Sequence, residues 1–155
     1  YIHRNYFVYA IDIRAYEVKR ADLHFYSADA IKTPFPEEFF DYITLVSTLE
    51  HVGLGYYGDP VYSNGDLLVV KEIIRILKRG GKLLITLPFA SSAWLKWHRI
   101  YDQKRIHQLA IDFKILKEEI YIPYFRGVWR KSKTDAVNTA RKDKHAVCCL
   151  MLEKT

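Results

Sequence analysis

The chain has 155 residues, half of them hydrophobic and 15% aromatic, and a formal net charge of +6. This composition excludes an intrinsically disordered chain, and the length is sufficient for one domain with its own core. No apolar run reaches the roughly 18 residues of a membrane-spanning helix, and we find no signal-peptide pattern. We therefore expect a soluble, cytoplasmic protein that forms a single domain over residues 1–155.

The first predicted elements are two buried strands, each of which carries an acidic residue at or near its end. Residues 7–13 are mostly apolar and present Asp12, and residues 23–29 end at Asp29. In an open parallel sheet, ligands bind at the carboxyl ends of the strands, where an ionised carboxylate can accept hydrogen bonds from both hydroxyls of a ribose. Asp12 is therefore a candidate ribose ligand, although an acidic strand end or a helix N-cap also explains it.

The middle of the chain predicts a strand, a loop, a helix and a second strand. Residues 40–47 are too apolar for a strand with one solvent-facing side. Asp66 is the predicted N-cap of a helix over residues 67–79, and the glycines at 80–81 predict its end. Residues 82–88 predict a second buried strand. Such a unit forms a right-handed crossover between parallel strands, which indicates an open α/β sheet.

The loop between this strand and helix is a formal G-x-G-x-x-G match over residues 53–58. In dinucleotide-binding proteins the third glycine lies in the first turn of a helix that faces a pyrophosphate. Here Pro60 and an Asn-Gly pair delay the helix to about Asp66, so we reject that interpretation. We expect a flexible loop over a ligand site, with Tyr56 and Tyr57 as candidate substrate contacts. Simple turn chemistry is the alternative.

Two groups of polar residues are candidates for the substrate side of a site. Glu50 and His51 end the central strand, and histidine suits proton removal because its unperturbed pKa lies near neutrality. Pocket shaping is the alternative role for this pair. His98, Arg99 and Tyr101 are expected near the same sheet edge, across the pocket mouth, where an arginine could grip a phosphate or carboxylate. Ordinary helix-start chemistry explains them equally well.

The C-terminal third predicts a helix after Asp102 and two strands, over residues 113–122 and 145–152. The segment that begins at Arg126 and ends at Lys144 carries seven lysines or arginines and two aspartates. Such a segment could contact nucleic acid, a phosphate-bearing substrate or an anionic membrane surface. A solvated surface is the alternative. The adjacent Cys148 and Cys149 would point to opposite faces of a strand, which argues against a disulfide between them and fits a reducing compartment.

Four segments in order resemble the core of class I S-adenosylmethionine-dependent methyltransferases. They are Asp-Ala at 29–30, TPFPEEFFD at 33–41, LEH at 49–51 and EIIRILKRGGKL at 72–83. The stretches at 50–59 and 98–102 resemble a less characterised branch often associated with glycan synthesis. The resemblance covers about residues 8–102. It implies a three-layer Rossmann-like fold, with an open, mostly parallel sheet and a C-terminal antiparallel strand pair.

The resemblance also implies a cofactor, S-adenosylmethionine, and a small-molecule or glycan acceptor. By this resemblance Asp12 holds the ribose, Asp29 receives the adenine amino group, and the backbone of Ala30 contacts the ring. The full set of implied cofactor contacts is Asp12, Ile13, Asp29, Ala30 and Ser47. His51 is the best candidate for the base, Glu50 is the other candidate catalytic residue, and no metal is indicated.

One element of the family is missing from the sequence. In the family a first strand is followed by a glycine-rich loop, and both would precede Val8 in this sequence. In the sheet, that first strand is central and lies between the strands that end at Asp12 and Ser47. Without that strand, two inner strands expose unpaired edges, which costs backbone hydrogen bonds. We expect a fragment of a longer protein, since the chain begins with Tyr1 and not methionine. Residues 7–13 could instead be the first strand, although residues 14–17 do not resemble a cofactor loop.

Two other functions remain open at this point. The chain could be a degenerate relative that binds a partner without catalysis. It could also methylate RNA, with the basic segment that starts at Arg126 as the electrostatic contact surface.

Overall fold

The computed structural model of the chain describes residues 6–17, 22–90, 93–95, 97–132 and 146–155. Its helices are α1 (Gly65–Ile76) and α2 (Gln103–Leu109). Its strands in chain order are β1 (Val8–Asp12), β2 (Leu23–Ser27), β3 (Phe40–Val46), β4 (Leu77–Phe89), β5 (Ala93–Leu95), β6 (His98–Ile100), β7 (Phe113–Pro123), β8 (Trp129–Ser132) and β9 (Ala146–Lys154). Neither of the described helices is long and apolar enough to cross a membrane.

The strands β1 and β2 form a separate two-stranded parallel sheet, with Asp12 opposite Ser27 at its carboxyl end. Among the described strands, no hydrogen-bonded pairing joins this sheet to a larger sheet that begins with β3. Aromatic packing connects them instead. The ring of Tyr9 meets the rings of Phe39 and Phe40 edge-on, at centroid distances of 5.5 and 5.6 Å. Side chains rather than backbone hydrogen bonds therefore join the two sheets.

The larger sheet has the strand order β3-β4-β9-β7-β8. β3 and β4 run parallel and are connected through α1, which confirms the predicted crossover. β9 lies between β4 and β7 and is antiparallel to both, and β8 is antiparallel to β7. The expected C-terminal antiparallel pair is present as β7 and β9. The sheet is mixed rather than mostly parallel, because β9 separates the parallel pair from the rest.

Alternate residues of β4 face a single buried core. Leu83, Ile85 and Leu87 are at most 1% exposed, and residues of both helices belong to the same buried cluster. On the opposite face, Leu84 and its cross-strand partner Met151 are 37% and 40% exposed. The described residues therefore cover one face of this sheet with helices. The third layer of the expected three-layer fold stays a prediction.

The helix α1 begins and ends earlier than predicted. Asp66 lies inside its first turn rather than at the N-cap. At the other end, the backbone N–H groups of Glu38 and Phe39 donate to the last two helical carbonyl groups, at 2.9 and 2.8 Å. The last carbonyl groups of a helix have no partner within the helix, and here these two N–H groups supply the partners. The helix therefore ends before the glycines. Residues 80–81 lie instead in β4, where its register with β3 shifts.

The C-terminal part of the fold follows the predictions more closely. The carboxylate of Asp102 accepts a hydrogen bond from the Arg105 N–H at 2.8 Å, which confirms it as the N-cap of α2. The strands β7 and β9 are present, and Cys148 and Cys149 are both free. β5, β6 and β8 were not predicted. The sequence between β7 and β9 also predicts a short helix around residues 135–140, a stretch that lies outside the described residues.

Candidate functional site

The carboxyl ends of β1, β2 and β3 open onto one cavity of about 1240 Å³. Among its lining residues are all five predicted cofactor contacts, together with the candidate base and one loop tyrosine: Asp12, Ile13, Asp29, Ala30, Ser47, His51 and Tyr57. Among the residues that the structure describes, no group of three His, Cys, Asp or Glu side chains could hold a metal ion. The structure thus brings the predicted cofactor residues together with His51.

Asp12 lies at the carboxyl end of β1 and is held by Arg14. The backbone N–H of Arg14 donates to the Asp12 carboxylate at 2.9 Å, and its Nε and Nη2 donate at 3.0 Å each. The side-chain hydrogen bonds from Arg14 lower the pKa of the Asp12 carboxyl from its usual value, so this group is an ionised acceptor. Sequence reasoning missed Arg14. Its spacing of two residues from a strand-end carboxylate is the signal that could have found it.

The guanidinium group of Arg14 also reaches the glycine loop of residues 53–58. It lies 5.1 Å from the centre of the Tyr16 ring and 5.0 Å from that of the Tyr57 ring. In cation–π contacts of this kind the positive charge is attracted to the face of the aromatic ring. One side chain therefore contacts both the candidate ribose ligand and a candidate substrate contact.

The remaining predicted cofactor residues lie in tight backbone turns. The Asp29 carboxylate accepts from the Ile31 N–H at 2.9 Å, and this bond shapes the turn that contains Ala30. Ser47 follows β3 directly, and its N–H donates to the Thr86 hydroxyl at 3.0 Å. Its φ of 48° is in the left-handed region, which is strained for a residue other than glycine. The strained backbone of Ser47, at the edge of the cavity, is therefore held in place by its hydrogen bond to Thr86.

The imidazole of His51 is held through one of its two ring nitrogens. Its Nδ1 lies 2.7 Å from the Trp97 carbonyl oxygen, which can only accept a hydrogen bond. Nδ1 therefore carries the proton, and Nε2 of the neutral ring carries the free lone pair. Nε2 is 3.9 Å from Oε1 of Glu50.

Glu50 is buried beside this histidine, on the side of its Nε2 atom. It is 3% exposed, and its Oε2 accepts no hydrogen bond from the described residues. Burial raises the pKa of the Glu50 carboxyl above its usual value, because the charged form loses its hydration. Because Oε1 of Glu50 lies on the Nε2 side of His51, an ionised Glu50 would attract a positive charge on that imidazole, whereas the raised pKa favours the neutral carboxyl.

The three candidates around β6 lie behind the cavity rather than across its mouth. His98, Arg99 and Tyr101 are 6%, 2% and 0% exposed. Arg99 donates from Nη1 to the Val52 carbonyl at 2.6 Å and from Nη2 to the Tyr62 carbonyl at 3.1 Å. Burial raises the pKa of the Tyr101 phenol above its usual value, so this group stays neutral. In this structure Arg99 thus holds the backbone on both sides of the glycine loop, at Val52 and Tyr62.

Asp66 is the buried acidic partner of Arg99 and Arg105. The sequence predicts only a capping role for it. It is fully buried and accepts from Arg105 at 2.7 and 3.1 Å. Nε of Arg99 lies 4.0 Å from the same carboxylate. A carboxylate shared by two arginines in a buried position connects α1, α2 and β6.

The glycine loop is closely packed at its base, contrary to the expected flexible loop. The N–H of Gly53 donates to the Asp59 carboxylate at 2.6 Å, and the Tyr62 N–H donates to the Gly53 carbonyl at 2.8 Å. The loop tyrosines are more open, with Tyr56 59% and Tyr57 38% exposed. The base of the loop is thus fixed, and its tip presents aromatic side chains.

Gly53→Ala is expected to lower the free energy of unfolding more than Gly58→Ala. Both glycines have φ near +80°, where a Cβ costs about 1–2 kcal/mol. At Gly53 the added Cβ would also lie 2.7 Å from the Tyr62 carbonyl oxygen, whereas at Gly58 it would meet nothing within 4 Å. Denaturant unfolding measures both variants. Equal losses would contradict the close packing at the loop base.

Comparisons with known proteins identify similar sequences and folds. The demethylmenaquinone methyltransferase of Listeria welshimeri is 37% identical over 70 residues, which are 43% of this chain and 25% of that protein. The chain thus spans about a quarter of this relative's length. Among solved structures, the 1,6-didemethyltoxoflavin-N1-methyltransferase of Burkholderia thailandensis, with bound S-adenosylhomocysteine, superposes with a TM-score of 0.63. It is 13% identical, over 99% of this chain and 64% of that one.

The [4+2]-cyclase SpnF has a similar structure, with a TM-score of 0.58 and 18% identity over 86% of this chain and 56% of that one. These likenesses confirm the predicted Rossmann-like fold of class I methyltransferases. They do not extend to the glycan-associated branch. Residues 26–140, which are more than half of the chain, match one family. The chain therefore belongs to the family described as Caenorhabditis protein of unknown function, DUF268.

Proposed function

We propose that the chain forms part of an S-adenosylmethionine-dependent methyltransferase that acts on a small-molecule acceptor. The observation that carries this proposal is the single cavity that gathers Asp12, Asp29 and Ser47 at three strand ends together with His51. The names of the methyltransferases to which the chain is similar support the same activity.

The residues of the cavity fit S-adenosylmethionine. Asp12 is an ionised acceptor whose side chain is 30% exposed, which suits a pair of ribose hydroxyl donors. Asp29 and Ala30 would hold the adenine, and Ile13 and Ser47 would line the nucleoside pocket. The cofactor, when bound, supplies an electrophilic methyl group. Because methyl transfer is a direct displacement, the main task of the protein is to position the acceptor.

On the acceptor side, His51 is the residue that would remove a proton. In the neutral ring Nε2 can accept a proton from a hydroxyl or similar nucleophile, and Glu50, when ionised, would stabilise the charge that results. The exposed Tyr56 and Tyr57 would contact the acceptor. Arg99, which contacts loop carbonyls, acts as a positioning residue, and His98 and Tyr101 support the buried side of the site.

The proposed domain includes a strand between β1 and β3, followed by a glycine-rich loop. Among the described strands, β1 and β3 each pair on one side only. The cavity between them extends from Phe7 to Asp12 on one side and from Phe40 to Leu45 on the other. Its volume exceeds the range of about 300–1,000 Å³ that is typical of ligand pockets. A further parallel strand would satisfy both unpaired edges and leave the carboxyl end for the cofactor.

A glycan acceptor is a narrower version of this proposal and stays a prediction. A non-catalytic role is the second candidate, and one observation favours it: Arg14 occupies the Asp12 carboxylate that would receive the ribose. The RNA hypothesis stays a prediction as well, because residues 133–145 of the basic segment lie outside the described residues.

Asp12→Asn is the variant that tests the cofactor site. Hydrogen bonds to a charged acceptor contribute about 1.5–3 kcal/mol, so the loss of the charge should weaken S-adenosylhomocysteine binding by about ten-fold to a hundred-fold. Calorimetric titration measures this in the chain and in a longer parent chain. Asp112→Asn, an exposed site between α2 and β7, is the matched control.

Three outcomes are distinguishable in this titration. Binding that is lost in Asp12→Asn and kept in Asp112→Asn supports the cofactor site. Binding in the parent but not in the 155-residue chain supports the additional strand. No binding in the parent contradicts the methyltransferase proposal and leaves the non-catalytic role.

A further inference from the structure

The turn between β7 and β8 exposes an unusual number of large apolar side chains. We call residues 124–129 the aromatic tip. Its exposed apolar members are Tyr124 at 67%, Phe125 at 66%, Val128 at 58% and Trp129 at 50%. A cluster of exposed apolar side chains often marks an interaction surface, whereas isolated exposed apolar residues are common and have no such meaning.

The tip is an ordered turn. The Tyr124 N–H donates to the Val128 carbonyl at 2.8 Å, and the Val128 N–H donates to the Phe125 carbonyl at 3.2 Å. Arg126 and Gly127 adopt φ of 51° and 78° to close the turn. These hydrogen bonds already order the backbone of the turn, and its aromatic side chains are exposed. The backbone therefore loses little conformational entropy when the tip binds a partner.

The tip and Arg130, which follows it in β8, carry positive charge in a stretch of sequence without acidic residues. No acidic residue occurs from position 120 to position 132. The guanidinium groups of Arg126 and Arg130 lie 5.2 Å from the Phe125 ring and 5.9 Å from the Tyr124 ring. Neither forms an ion pair among the described residues, whereas Lys131 is paired with Glu119 at 2.7 Å. Two arginines are thus available to an anionic partner.

The register of the sheet places the tip at the edge that contains the candidate site. Pro88, near the carboxyl end of β4, lies opposite Val147 of β9, and Val147 lies opposite Tyr121 near the end of β7. β7 then continues to Pro123, which pairs with Trp129. The tip therefore projects from the same edge of the sheet as the carboxyl ends of β3 and β4. Glu50 and His51 follow β3 at this edge.

We propose that the aromatic tip docks on the surface of an anionic phospholipid bilayer. Tryptophan, tyrosine and phenylalanine beside arginine form the pattern that anchors proteins at the membrane interface, and each cation near an anionic surface adds to the attraction. This inference does not depend on methyl transfer. It would place the site edge towards the lipid, which suits an acceptor that is dissolved in the bilayer.

Two other partners fit the tip less well. Single-stranded nucleic acid binds aromatic residues that form a platform along a groove, whereas the tip is the end of a hairpin and includes the aliphatic Val128. A second copy of the chain, related by a two-fold axis through the tip, would bring the Arg126 and Arg130 side chains of both copies together. Charge and shape therefore favour the lipid surface.

Vesicle flotation tests this proposal with the full chain. The protein should float with vesicles of equimolar phosphatidylcholine and phosphatidylserine, and much less with pure phosphatidylcholine. Arg126→Gln with Arg130→Gln should lower partitioning into the anionic vesicles by about 25-fold, or about five-fold per cation. Phe125→Ser should lower it by about ten-fold through the loss of apolar contact. The matched control is Ile111→Ser with Lys114→Gln, at the opposite edge of the sheet.

A second measurement keeps the test independent of folding. Brominated phospholipids should quench the fluorescence of Trp129, and the quenched fraction should disappear in Trp129→Phe. Equal flotation of the tip variants and the control variant would overturn the proposal. Binding of single-stranded RNA without binding of vesicles, or a dimer that Phe125→Ser dissociates, would overturn it as well.

Discussion

His51→Gln should lower the rate of methyl transfer by about 10²–10⁴-fold and leave S-adenosylhomocysteine binding unchanged. Glutamine retains a donor for the Trp97 carbonyl, which His51 contacts at 2.7 Å, but it cannot accept a proton. The measurement is S-adenosylhomocysteine formation with trial acceptors, among them a demethylated menaquinone, because a relative carries that activity in its name.

The control for this variant is His107→Gln, which replaces an exposed histidine of α2. It should keep full activity. If His51→Gln is as active as His107→Gln, then His51 is not the base and its role is limited to packing on Trp97 and Tyr57. If His51→Gln instead loses cofactor binding, the site includes His51 as a structural member rather than a proton acceptor.

Asp66→Ala should lower the free energy of unfolding by about 3–5 kcal/mol, because it leaves buried arginine charge without its partner. Asp66 is fully buried and is within 2.7 Å of Arg105 and 4.0 Å of Arg99. Urea unfolding, followed by circular dichroism, measures the loss. The loop that Arg99 holds should also become more accessible to protease.

Asp41→Ala provides the matched control for the buried pair. Asp41 contacts Lys78 at 2.7 Å, but its side chain is 69% exposed, so its removal should cost no more than about 1 kcal/mol. A loss for Asp66→Ala that is no larger than for Asp41→Ala would show that water reaches the buried cluster and screens its charges.

The cavity was predictable because strand ends follow a general rule. Asp12, Asp29 and Ser47 close apolar runs, and the carboxyl ends of parallel strands meet at one edge. Residues near such ends are therefore expected together without any knowledge of side-chain contacts. The N-cap role of Asp102 was equally accessible, because capping depends on the local chain alone.

The features that were missed depend on contacts distant in sequence. The end of α1 is determined by the N–H groups of Glu38 and Phe39, which no local pattern around residue 76 can reveal. Arg99 was expected to face a substrate, and its actual partners are the carbonyls of Val52 and Tyr62, 47 and 37 residues away. An arginine side chain reaches in many directions, so its sequence position does not determine what it contacts.

The central position of β9 has a consequence for synthesis. β9 lies between β4 and β7, yet it is the last of the described strands to leave the ribosome. Until Ala146–Lys154 emerges, β4 and β7 present unpaired edges that are open to chaperones or to neighbouring nascent chains. The larger sheet can therefore be completed only after β9 has been translated and pairs with β4 and β7. We therefore expect the assembly of this sheet to be a late step that follows the synthesis of β9.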